Sequence, residues 1–204
     1  MAITLKDIAK KAGVSHVTVH NALHRHGRLS ETKRREIHVL AREMGYRPNA
    51  GAQAIRSGRF DCIALTMSTN PTWSQTPEGL IRGIEQALAR QDMHLTVAAL
   101  PDEKLTSEGY VPKILRQLMV DGLLVNYNAR IPPRMQDLLS SAAIPSVWIN
   151  SKHSRNCVYP DDYGAGRDAA ERLLGLGHRR ITFADFNSPT TRVPEHYSQI
   201  DRQE

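Results

Sequence analysis

Thr4-Leu5-Lys6-Asp7-Ile8-Ala9-Lys10-Lys11-Ala12-Gly13-Val14-Ser15-His16-Val17-Thr18-Val19-His20-Asn21-Ala22-Leu23 is the stretch from which the rest of the chain can be read. Leu5, Ile8, Ala9 and Ala12 recur at helical spacing. Thr4 precedes them and Asp7 follows Thr4 by three residues, a capping-box start with Asp where Glu or Gln is more usual. The pattern predicts a helix over Leu5–Ala12, ended by Gly13, which can adopt φ > 0. Ser15 suits the cap of a second helix from about His16 to Leu23. Val19, Ala22 and Leu23 then face inward, and His16, Val17, His20, Asn21 and His24 face out.

Working outward, Ser30 caps a third expected helix, Glu31–Met44, with Ile37, Leu40, Ala41 and Met44 as its packing stripe. Gly45 closes it, and Tyr46-Arg47-Pro48 begins something new, because a residue before proline avoids the helical region. Two short helices joined by a glycine turn and braced by a third suit a helix-turn-helix. A three-helix bundle without a ligand gives no reason for an outward face of His, Asn and Thr. Nor does it explain Arg25, Arg28, Lys33, Arg34, Arg35 and Arg42 gathered around that face.

Charge agrees. Residues 1–60 hold 12 Lys and Arg against 4 Asp and Glu, a net of +8, while the rest of the 204-residue chain holds 15 against 17, a net of −2. A basic module beside a near-neutral body is the electrostatic footprint of a nucleic-acid binder. Five of the nine histidines lie in the same module.

The chain has room for one small and one medium domain. No run of about 18 apolar residues suits a membrane span, and Met1-Ala2-Ile3-Thr4-Leu5-Lys6-Asp7 is not a signal peptide. Cys62 and Cys157 show no CxxC or Cys/His ligand spacing and read as reduced core thiols of a cytoplasmic protein.

From residue 61 the pattern alternates strand and helix. Strands are expected at Ile63–Met67, Leu95–Leu100, Gly122–Tyr127, Ser146–Ile149 and Ile181–Asp185. Helices are expected at Pro77–Gln91, Ser107–Met119, Pro133–Ser141 and Asp162–Leu174, with Asp162 as N-cap. This order argues for a doubly wound parallel sheet. Gly164-Ala165-Gly166 lacks a dinucleotide fingerprint's third glycine and preceding strand. No nucleophile–base motif is present, so no enzyme and no cofactor are expected.

The blocks Thr4-Leu5-Lys6-Asp7-Ile8-Ala9, Ala12-Gly13-Val14-Ser15, Thr18-Val19 and Gly45-Tyr46-Arg47-Pro48-Asn49, in this order and spacing, resemble the lac-repressor (LacI) family of bacterial transcription regulators. Further on, Asp161-Asp162-Tyr163-Gly164-Ala165-Gly166 and Leu176-Gly177-His178-Arg179-Arg180-Ile181 are similar to the family's crossover into the second lobe of a periplasmic-binding-protein-like effector domain. The resemblance implies a helix-turn-helix domain over 1–47, a hinge helix or linker over 48–60, and an effector-binding and dimerisation domain over 61–204. It implies a homodimeric regulator of the repressor type on a pseudo-palindromic operator in double-stranded DNA, answering to a small-molecule effector such as a sugar or nucleoside.

By the same resemblance the second helix lies in the major groove, with His16, Val17 and Asn21 at the base-reading positions. Asn21 can pair bidentately with adenine, His16 can donate to a purine acceptor, and Val17 can pack on a thymine methyl. Ser15, Thr18 and Asn49 are expected at phosphates or holding register. Thr4, Leu5, His20, His24, Arg28 and Ala52 complete the residues expected at the DNA. Ile55 occupies the position of the family's minor-groove wedge. The helix departs from the family where His20-Asn21 replaces a common Ser-Arg pair, so a guanine-forking arginine is absent. The histidines at i, i+4 and i+8 could share a metal ion, but no further ligand type accompanies them, and no metal is expected. As titratable groups beside phosphates, they predict affinity rising as pH falls through about 6.5.

Ligands of open α/β sheets lie at the carboxyl ends of strands. The expected effector residues are therefore Ser68 and Thr69 after the first strand and Asn150 after the fourth. Arg202 joins them, where the family places an effector-contacting arginine. Trp73 and Trp148 read as core or interface residues. With Glu204 last in this sequence, the second lobe is expected to be incomplete, as in a C-terminally truncated member. Two other readings stand beside this one. The first is a truncated product that binds DNA without effector response. The second is a small-molecule binding protein of the periplasmic type, against which the basic module argues.

Overall fold

Thr4 opens the first helix as its sequence requires. Its hydroxyl accepts from Asp7 N at 3.4 Å, and the Asp7 carboxylate accepts from Thr4 N at 2.8 Å. Helix α1 (Leu5–Ala12) ends at Gly13, φ 66°. Ser15 then caps α2 (His16–Leu23) and Ser30 caps α3 (Glu31–Glu43). Ile8, Val19, Ala22 and Ile37 are wholly buried where the three helices meet, with Ala9 and Ala41 beside them. Asn49 begins a further helix, α4 (Ala50–Ser57), by accepting Ala52 N on its side-chain oxygen at 3.1 Å.

The structure is a computed structural model and describes residues 3–24, 26–71, 73–128, 130–184 and 196–201; the side chains of Ile55 and Gln199 also lie outside the description. It divides into two units, Met1–Ser57 and Gly58–Glu204. The second is a parallel sheet with helices between its strands. In chain order its elements are β1 (Cys62–Ser68), α5 (Glu78–Ala89), β2 (His94–Leu100), α6 (Asp102–Leu105), α7 (Lys113–Arg116), β3 (Gly122–Asn126), α8 (Met135–Ala142), β4 (Ser146–Ile149), β5 (Cys157–Val158), α9 (Asp162–Gly175) and α10 (Tyr197–Asp201).

The sheet order is β2-β1-β3-β4-β5, every pair parallel. The central strands are nearly continuous apolar runs because both of their faces are covered: Ala64, Leu65, Leu123 and Val125 are buried, and Tyr127, just past β3, is wholly so. Leu105, Leu115, Met135, Leu138 and Trp148 pack in the same core.

Three expectations are corrected here. The helix expected over Ser107–Met119 is only the turn α7, and Leu118, which stands at helical spacing from Ile114 and Leu115, is 84% exposed. Pro112 keeps helix from forming ahead of it, since it brings no N–H and pushes Val111 out of the helical region; after it the chain is extended again at Gln117, φ −121° and ψ 142°. No strand forms at Ile181–Asp185 among the described residues, and Asp185 lies outside them; Ile181 and Phe183 are exposed. A strand persists only where another strand takes up its N–H and C=O groups. Helix α9 is capped by Asp161, not Asp162: Asp161 Oδ1 accepts from Gly164 N at 2.9 Å, while Asp162 is buried. A Cβ on Gly164 would stand 2.3 Å from Asp161 Oδ2, so the glycine lets the carboxylate sit this close over the first turn.

Candidate nucleic-acid interface and ligand cleft

The turn between α1 and α2 fixes the start of the second helix. Ser15 Oγ accepts from Thr18 N at 3.1 Å, and the two hydroxyls lie 2.9 Å apart. Directly after this cap His16 and Val17 are exposed, Val17 by 52%. They are the residues of α2 best placed to reach a partner. Thr4 is engaged in its capping box, and its hydrogen bonds hold the Asp7 carboxyl below the usual carboxylate range. Leu5 is half-buried against the helical core and presents little to a ligand. Arg28 and Ala52 are exposed. Asn49 caps α4. Ile55 lies in α4, its side chain outside the described residues.

The far end of α2 differs from the sequence picture. His20, Asn21 and His24 are half-buried. The rings of His20 and His24 are 4.5 Å apart, and each is 6.4 Å from that of His26. Gln53 of α4 donates to His24 Nε2 at 3.5 Å. Burial, with His20, Arg56 and His26 adding to it, pulls the His24 pKa below the ordinary imidazole value. Among the described residues no group of three His, Cys, Asp or Glu could hold a metal ion. Asn21 lies against Gly27, whose φ is +68°; a Cβ there would meet Asn21 Nδ2 at 3.2 Å.

Arg34 is not part of the basic surface. It is 8% exposed, and Nη1 donates to the carbonyls of Asn21 and Ala22. His38 Nε2 donates to the Ala22 carbonyl at 3.2 Å. Arg34 therefore closes the carbonyl end of α2, where a cation is favoured. Lys33 pairs with Glu36 at 2.9 Å. Arg28, Arg35, Arg42 and Arg47 are among the exposed cations of the module, and Arg25 lies outside the described residues.

In the second unit, the carboxyl ends of β1, β2 and β3 enclose a cavity of about 700 Å³. Asp102, the first residue of α6, organises it. Its carboxylate accepts Ser68 Oγ, Thr69 Oγ1 at 3.2 Å and Tyr127 Oη at 2.9 Å. Burial first, and the neighbouring Asp102 second, push the Tyr127 phenol far up. Ser68 is buried and braces the loop after β1, accepting Asn70 N at 2.8 Å. Thr69, Asn70, Trp73 and Arg130 line the space, with the Arg130 guanidinium 5.4 Å from the centre of the Trp73 ring. Trp73 is thus a cavity wall and not core, whereas Trp148 is buried.

Of the four expected effector residues, the three that are described fall into two hydrogen-bonded groups. Ser68 and Thr69 share Asp102. Asn150 belongs to another group, its carbonyl accepting Asn128 Nδ2 at 3.3 Å and His196 Nε2 at 2.8 Å. Arg202 lies outside the described residues. Sequence reading missed Asp102, Asn70 and Arg130. The available signal was Asp102 directly after a strand end, Leu100-Pro101.

Residues 4–49 match the bacterial regulatory proteins of the lacI family, and residues 62–195 match the periplasmic binding proteins and sugar binding domain of the LacI family. The chain belongs to the LacI family. Among curated relatives it is similar to the HTH-type transcriptional regulator DegA of Bacillus subtilis (strain 168), 29% identical over 198 residues, covering 94% of this chain and 57% of the relative. It is also similar to the HTH-type transcriptional regulator AglR of Rhizobium meliloti (strain 1021), 30% identical over 204 residues, covering 93% and 53%. The chain thus spans a little over half the length of these curated relatives. A crystal structure of a lac repressor dimer bound to operator and the anti-inducer ONPF superposes with a TM-score of 0.70 at 20% identity, over 89% of this chain and 55% of that one. At that identity the likeness speaks for the fold, and it is the fold the alternating pattern predicts. LacI-family members are regulatory proteins and not enzymes. No helix among the described residues of this LacI-family chain is long and apolar enough to cross a membrane.

Proposed function

We propose that this chain is a sequence-reading regulator of transcription, a repressor that binds a pseudo-palindromic operator in cytoplasmic DNA as a homodimer. One observation carries the reading. His16 and Val17 stand exposed at the start of a helix whose first turn is locked by Ser15–Thr18 and whose last carbonyls are closed by Arg34, in a module of net charge +8. A rigid helix with a reading edge and surrounding cations is what major-groove recognition needs. Residues 1–47 form the reading domain, 48–60 the hinge and 61–204 the effector and dimerisation domain. His16 and Val17 touch bases; Arg28, Ser15, Thr18 and Asn49 lie at the backbone; Ile55 is the minor-groove wedge.

The regulator answers to a sugar. The match to a sugar binding domain supports this, as does a cavity that combines an indole wall with Thr69, Asn70 and Asp102. Its size falls in the range of about 300–1,000 Å³ usual for small-molecule sites.

Selection from a random duplex pool, followed by a salt titration, tests the DNA reading. Enrichment of a two-fold sequence is expected, with log affinity falling linearly in log salt. An unenriched pool refutes it. Thermal shift against a panel of neutral sugars tests the effector reading, because a ligand of the folded state raises the midpoint by mass action; an unmoved midpoint across the panel removes it.

A further inference from the structure

Asp121 stands immediately before β3, outside both candidate sites, and does more than complete the sheet. Its carboxylate accepts two backbone N–H groups of the segment leading into β1: Phe60 N on Oδ1 at 2.8 Å and Cys62 N on Oδ2 at 3.4 Å. Its own N–H donates to the Cys62 carbonyl at 2.8 Å. On the opposite flank His94 N, at the start of β2, donates to the Asp61 carbonyl at 3.0 Å. Asp61 holds φ 49°, in the left-handed region that Asp tolerates better than most residues with a Cβ. The Phe60 side chain packs against the core cluster.

The ladder itself does not require this arrangement. Pairing of β1 begins at Cys62 against β2 and at Ile63 against β3. The bond from Phe60 to Asp121 therefore pins a residue that precedes the sheet. Solvent could satisfy the Phe60 N–H without fixing the chain. A carboxylate placed there by the neighbouring strand fixes it.

We infer that Asp121 is a positioning residue for DNA binding: by holding Phe60–Cys62 against the start of β3, it keeps the segment that leads from α4 into the sheet on a single path. The inference rests on the proposed regulator function for its second readout. Freedom of even one backbone residue in that segment corresponds to roughly tenfold in an equilibrium constant.

Two variants of the full 204-residue chain test it. Asp121→Ala removes both acceptors. Asp121→Asn keeps one and turns an N–H₂ toward the second N–H, and it carries the test if the alanine variant does not fold. Hydrogen exchange read at single residues is expected to show Phe60 exchanging about tenfold faster in the alanine variant and at an intermediate rate in the asparagine variant. The amides of Leu95–Leu100 are expected to keep their wild-type rates. Affinity for a duplex selected by the wild-type chain is expected to fall about tenfold, measured at a temperature where the sheet of both variants is fully folded. Unchanged Phe60 exchange overturns the inference. So does loss of protection at Phe60 only together with the whole sheet, and so does faster exchange with full DNA affinity. A wild-type chain that selects no duplex overturns the proposed function, and with it the DNA role of Asp121, whatever the exchange rates.

Discussion

The guanidinium of Arg34 donates through Nη1 to the carbonyl of Asn21 at 3.0 Å, and through the same nitrogen to Ala22 at 3.2 Å. A cation from α3 thus closes the last turn of α2, so the third helix does more than brace the second: it fixes an end of α2 that no side-chain cap of its own secures. Removing a buried charged donor leaves two carbonyls without it. Arg34→Met should destabilise the first unit by about 1.5–3 kcal/mol. Arg34→Lys, with charge but no fork, should lose less. Urea unfolding followed by far-ultraviolet dichroism measures both; a methionine variant as stable as wild type contradicts the assignment.

Gly27 and Asn21 form a second dependence. Gly27 holds φ +68°, and a Cβ there would approach Asn21 Nδ2 to 3.2 Å. Gly27→Ala should cost about 1–2 kcal/mol for the left-handed conformation alone. It should also turn the Asn21 amide away from its place beside the turn. Chemical shifts of the Asn21 side-chain amide, recorded beside an unfolding curve, report the two effects separately.

His24 sets a pH dependence opposite to the one its sequence position suggests. Burial holds its pKa below the ordinary value near 6.5, and His20, Arg56 and His26 push the same way. Its Nε2 accepts from Gln53, which only the neutral ring can do. The folded state therefore favours neutral His24. That stability is fully present above the unfolded pKa and is lost as pH falls through the lowered folded value. The free chain should unfold more easily as pH drops below about 6.5, and His24→Gln should flatten that slope. Thermal midpoints between pH 5 and 8 decide it.

At the cleft, Tyr127→Phe removes one of the hydroxyls that Asp102 holds, and does so in a wholly buried position. A loss of about 0.5–1.5 kcal/mol is expected. A second effect follows from the shared carboxylate: the loops after β1 and β2 should loosen together, seen as faster amide exchange at Thr69 and Asn70. Slower exchange, or none of the stability loss, would show that Asp102 is held by its other partners alone.

The first three helices, their caps and the alternating order of the body were legible because each rests on neighbours within a few residues. Thr4–Asp7, Ser15–Thr18 and Ser30–Lys33 are hydrogen bonds across three positions, and the apolar spacing that buries Ile8, Val19 and Ile37 is equally local. Residues 107–119 show the limit of periodicity alone: the spacing of Ile114, Leu115 and Leu118 suits a helix, but Pro112 stops one from forming ahead of it and the chain is extended again at Gln117, leaving Leu118 in solvent.

What the residues alone determined was a basic three-helix module joined to a parallel α/β sheet, since capping, spacing and charge act along the chain. What only the folded chain decided was which side chains remain available. Arg34 reaches across 13 positions to Asn21, Asp102 reaches across 34 to Ser68, and Asp121 reaches across 61 to Phe60. Each of these polar groups meets its partner only because the tertiary fold brings distant segments side by side, and such pairings leave no periodic mark in a sequence.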